Sequence, residues 1–88
     1  MSKEIKDNLI NWFAKNTSIE EKAIKDNLYL NYFNEAWIDS IQFISFISVI
    51  EETYNISFEN DEFQDRKFMT IEGLAEIIEK KTNETRSL

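Results

Sequence analysis

Asp39-Ser40-Ile41 brings a carboxylate, a hydroxyl and an aliphatic side chain together where a helix is expected to begin. A serine in the first turn of a helix lies beside backbone N–H groups that have no partner within the helix. The helix dipole adds partial positive charge at the same place. A hydroxyl there is well placed to carry a phosphate ester, whose negative charge the helix end stabilises. The chain offers little other side-chain chemistry. It has no histidine, the commonest general base, and no cysteine, which removes thiol chemistry and any disulfide framework. With no coherent nucleophile–base pair, a hydrolytic or metal enzyme is a distant option. Glu59, Asp61 and Glu62 lack the ligand spacing and loop glycine of an EF-hand, so they read as a solvated acidic face. Taken alone, the triplet also describes an ordinary helix cap, since Asp and Ser are favoured there in any helix.

The element that must hold Ser40 is a helix expected over residues 40–54. Phe43, Phe46, Ile47, Ile50 and Tyr54 recur at helical spacing and make its inward stripe. Ile41, Ser45, Ser48 and Glu52 fall on the opposite side. Asp39 is the expected N-cap, with Gln42 three residues on completing a variant of the capping box. An earlier helix is expected over residues 3–15, with Ser2 as its cap and Ile5, Leu9, Trp12 and Phe13 as its stripe. A long connection follows, residues 17–38, with a short helical turn near residues 19–24 that Ser18 and Glu21 would cap. The remainder is too apolar to float free and is expected to lie across the bundle. A short third helix is expected over residues 60–66, anchored by Phe58 and Phe63. Thr70 then caps a last helix running to about Lys80 on the stripe Ile71, Leu74, Ala75 and Ile78. The expected fold is all-α: a small bundle of three main helices plus a short one, with a long loop between the first two.

The bulk numbers agree. Eighty-eight residues make one domain, residues 1–88, with an ordered core over about 3–81 and a polar tail, 82–88, expected to fray. One glycine and no proline disfavour hairpins and sheets. Seven Phe, two Trp and three Tyr supply large burial per residue. A net charge of −7 argues against nucleic acid and anionic membrane as partners and favours a basic protein surface. The start of the chain turns charged at once, with no secretory signal or membrane-spanning stretch in view, so a cytoplasmic monomer is expected.

Three further stretches follow the triplet's lead. Phe33 lies a few residues before Asp39-Ser40-Ile41. Glu51-Glu52-Thr53-Tyr54-Asn55-Ile56-Ser57-Phe58 gives an acidic pair, an aromatic and an Ile after the second helix. Phe68-Met69-Thr70-Ile71-Glu72-Gly73-Leu74-Ala75 opens the last one. In this order and spacing the chain resembles the acyl carrier protein family from about Ile5 to Lys80. The resemblance implies a carrier rather than an enzyme. Ser40 would be the attachment residue for 4′-phosphopantetheine, taken from coenzyme A by a phosphopantetheinyl transferase, with Asp39 as the adjacent motif residue. Acyl groups would ride as thioesters on the arm, loaded and unloaded by acyl-loading and acyl-transfer enzymes. Trp37, Ile41, Gln42, Ile44, Ser45, Ser48 and Glu52 are the expected partner-facing residues.

The chain departs from the family pattern in two places. Trp37 and Ile38 precede Asp39, where many members have a Gly two residues before the Asp. The early and middle turns of the second helix carry Gln42, Ser45 and Ser48 where fatty-acid carriers present acids, so electrostatic docking is expected to be weaker there. Both departures argue for a specialised stand-alone carrier in a lipid, polyketide or peptide pathway. Glu62-Phe63-Gln64-Asp65-Arg66-Lys67-Phe68 partly resembles the matching segment of D-alanyl carrier proteins, with an extra residue after Phe63. A D-alanyl or peptidyl carrier therefore stays open, as does a helical adaptor that keeps the fold without the arm.

Overall fold

The computed structural model describes the backbone of residues 2–86 and the side chains of residues 3–83. The elements are α1 (Ser2–Asn16), α2 (Glu21–Lys25), α3 (Ser40–Tyr54), α4 (Asn60–Phe63), a 3-10 turn (Arg66–Met69) and α5 (Ile71–Arg86). No strand occurs among the described residues, and three long helices form a small bundle. No helix among them is long and apolar enough to cross a membrane.

The apolar stripes read from the sequence are the core. Ile5, Leu9 and Phe13 of α1, Phe46, Ile47 and Ile50 of α3, and Ile71, Leu74, Ala75 and Ile78 of α5 are all buried. Phe43 and Tyr54, at the edges of the α3 stripe, are half-buried. Helices α1 and α5 approach each other closely along their backbones, whereas α3 meets its neighbours mainly through side chains. The rings of Trp12, Phe13 and Phe46 supply that spacing, with Trp12 and Phe13 4.6 and 5.1 Å from Phe46.

The long connection is tied down by its backbone. Leu28 accepts a hydrogen bond from Glu72 N at 3.1 Å, and Tyr32 N donates to Met69 O at 3.0 Å. Tyr32 is buried, and its hydroxyl donates to Phe68 O at 2.6 Å. Burial raises the phenol's pKa above its ordinary value of 10.0. At the same end, Gly73 lies so close to the 3-10 turn that an added Cβ would fall 2.3 Å from Lys67 O and 2.7 Å from Lys67 Cα. The chain's single glycine is therefore set by a helix–backbone approach, not by a turn.

Four local expectations change. Ser2 is the first helical residue of α1, where the sequence placed a cap. The Ser18–Glu21 box does not form: α2 starts at Glu21 behind Glu20, which makes no side-chain cap. The helix expected over residues 60–66 is two pieces. Asp65 is extended and its side chain accepts from Lys67 N, which starts the 3-10 turn and ends any continuous helix. The last helix runs to Arg86, past the stop expected near Lys80. Lys81 pairs with Glu62 at 2.9 Å and Thr82 is buried, so polar residues there hold tertiary contacts. Ser87 and Leu88, the end of the stretch expected to fray, lie outside the described residues.

Candidate functional site

Ser40 is the first residue of α3, and its side chain is exposed. The capping box expected in front of it is present. Asp39 Oδ1 accepts from Gln42 N at 2.8 Å, and Gln42 Oε1 accepts from Asp39 N at 3.1 Å. Phe43 N donates to Asp39 O at 2.9 Å. These bonds use two of the first four N–H groups of the helix. The other two, on Ser40 and Ile41, have no acceptor among the described residues. An exposed hydroxyl is thus flanked by two unclaimed backbone donors at the positive end of a helix of 15 residues.

Distant elements hold this end in place. Gln42 Nε2 donates to Asn16 O at 3.2 Å, tying the start of α3 to the end of α1. Ahead of the site, Asn31 Oδ1 accepts from Phe33 N and Asn34 N, both at 2.9 Å, and closes a side-chain turn. Ala36 then takes a left-handed conformation, φ 58°. Trp37, next in line, needs no such conformation. It is half-buried, its N–H donates to Tyr32 O at 3.0 Å, and its ring lies 5.9 Å from that of Phe13. The small residue expected two places before Asp39 is therefore not required by this backbone. The reversal occurs one residue earlier.

The outward face of α3 is uncharged for most of its length. Ile41 is 80% exposed and Ile44 66%, and Ser45 and Ser48 are exposed beside them. Glu51 turns inward instead, its carboxylate accepting from Phe58 N at 2.9 Å. Glu52, exposed, is the first charge on that face, about 18 Å along the axis from Ser40 at 1.5 Å per residue. Of the residues singled out in sequence, Ile41, Ile44, Ser45, Ser48 and Glu52 share this outer face. Gln42 and Trp37 are half-buried and hydrogen-bonded within the chain.

Compared with protein-family models, curated proteins and solved structures, the chain finds no match.

Concavities among the described residues include two that lie away from Ser40. An apolar cleft of about 40 Å³ sits between α1 and α3, lined by Leu9, Trp12, Phe46, Val49, Ile50 and Tyr54 among others. A wider, charged cleft of about 350 Å³ opens between α4 and α5, where Glu62 and Lys81 pair. No group of three or more acids able to hold a metal occurs among the described residues. The sequence reading missed Gly73, Tyr32 and the Gln42–Asn16 tie as supports of the site. A lone glycine inside a helical pattern was the available signal for the first. The other two join residues far apart in sequence and leave no local signature.

Proposed function

We propose that this protein is an acyl carrier whose Ser40 bears a 4′-phosphopantetheine arm. The observation that carries the proposal is the exposed Ser40 hydroxyl between the unclaimed N–H groups of Ser40 and Ile41. A phosphodiester at that oxygen has donors and dipole ready for its charge. Asp39 is turned toward Gln42 N, so its carboxylate is spent on the helix end. The bond from Gln42 to Asn16 ties the first turn of α3 to the end of α1. The site holds no base of its own, which suits a hydroxyl activated by a separate transferase. Once attached, the group supplies a thiol, which this cysteine-free chain lacks. The order of motifs around Asp39-Ser40-Ile41 supports the same reading. The uncharged outer face of α3 favours partners that dock on Ile41 and Ile44 by apolar contact rather than by basic patches.

The test is an intact mass after incubation with coenzyme A and a broad-specificity phosphopantetheinyl transferase. One phosphopantetheinyl group should be gained by the parent and none by Ser40→Ala. No gain, or a gain that survives the substitution, overturns the proposal.

A further inference from the structure

We infer that the cargo at Ser40 is a short or polar acyl group that stays outside the bundle, because aromatic rings fill both spaces beside α3 that a long chain would have to enter. This rests on the carrier reading of Ser40. On the α1 side, Phe46 meets Trp12, Phe13 and Tyr32 at ring-centroid distances of 4.6, 5.1 and 6.0 Å. On the other side, Phe43, one turn below Ser40, meets Phe33, Phe63 and Phe68 at 5.4, 6.3 and 6.1 Å. Phe58 and Phe63 close the layer behind it, 4.9 and 4.8 Å from Phe68. All these contacts are edge-on or tilted, the geometry of rings packed in a core. The apolar cleft between α1 and α3, about 40 Å³, is far smaller than the roughly 300–1,000 Å³ of an ordinary ligand pocket. An alkyl chain entering on either side must first displace a ring. The apolar area it buries is then offset by the ring area it exposes. A short or polar acyl group has little to gain from such shelter and is the cargo this packing suits.

The test uses Ser40→Cys, whose thiol is the chain's only one because the sequence has no cysteine. Alkyl methanethiosulfonates from propyl to dodecyl react there. The thiolate attacks the sulfenyl sulfur, a disulfide forms and methanesulfinate leaves. Thermal melting of each adduct is then measured. The expected result is one melting temperature across the series. A melting temperature that climbs with chain length overturns the inference. Phe43→Ala and Phe63→Ala in the same background open ring-sized space and should make melting temperature depend on chain length. Absence of that dependence in whichever variants fold shows that the rings are not the barrier, and likewise overturns it. The tether is chemical, so the outcome is separate from the transferase assay. An unmodified Ser40 there defeats the carrier reading, while length dependence here defeats only the cargo assignment.

Discussion

The N-termini of α3 and α5 are built from the same chemistry and differ in how many of their donors the fold takes up. Each has an oxygen-bearing cap: Asp39 accepts from Gln42 N at 2.8 Å, and Thr70 Oγ1 accepts from Gly73 N at 2.9 Å. At α5 one further donor is spent on the fold, since Glu72 N reaches Leu28 O at 3.1 Å, and of its first four N–H groups Ile71 N alone has no acceptor among the described residues. At α3 the N–H groups of both Ser40 and Ile41 have no acceptor among the described residues. A helix N-terminus is an anion site only where the rest of the protein declines to use it. The closed end lets the open one exist, because it anchors the long loop that leads into Ser40.

Closing the α5 end by force should have the largest effect. Gly73→Ala places a methyl 2.3 Å from Lys67 O, a backbone atom that no rotamer change can move aside. The 3-10 turn must shift, carrying Phe68 and its contact with Tyr32. Overpacking of this kind is expected to cost about 3 kcal/mol or more, lowering the melting temperature by more than about 12 °C in a domain of this size. A variant that melts like the parent would show that the turn and α5 are not in contact.

Tyr32→Phe probes the same end more gently. It leaves Phe68 O without its donor in a buried place, an expected loss of about 1–3 kcal/mol in thermal or urea unfolding. It also carries a pH signature. Burial lifts the Tyr32 pKa above 10.0, so the folded state keeps a proton that the unfolded state releases. That contribution is complete below pH 10 and is lost as pH rises further. Lys6, held charged chiefly by its hydrogen bond with Glu72 at 3.0 Å, has a raised pKa too and loses its contribution in the same alkaline direction. The parent should therefore destabilise above pH 10, and Tyr32→Phe should flatten but not abolish that slope.

The two ends also differ in how legible they were. The boundaries of α3, its capping box and its two faces follow from interactions within four residues, and the sequence displayed all of them. The Ile41 and Ile44 exposures obey the same periodicity. The α5 end depends on Leu28 with Glu72, Tyr32 with Phe68, and Lys67 with Gly73, and the first two pairs lie dozens of positions apart. Only the cap Thr70 and the lone glycine hinted at it. The division between α4 and the 3-10 turn was hidden for another reason. Asp65 suits a helix interior on pattern alone, but its side chain competes for Lys67 N and starts a new turn.

The smallest expected effect separates the two jobs of Asp39 at the open end. Asp39→Ala removes the acceptor for Gln42 N and should cost about 1 kcal/mol. Asp39→Asn keeps an oxygen in that position and gives up only the interaction of a negative charge with the helix dipole, about 0.3–1 kcal/mol at an exposed site. If Asp39 acts mainly as a cap, the Asn variant melts close to the parent and above the Ala variant, and the transferase modifies Asn and parent at similar rates. If its charge is what a partner reads, the Asn variant keeps the parent's stability but is modified as slowly as the Ala variant. The melting order and the modification rates then disagree, and that disagreement would assign Asp39 to recognition rather than to the helix it caps.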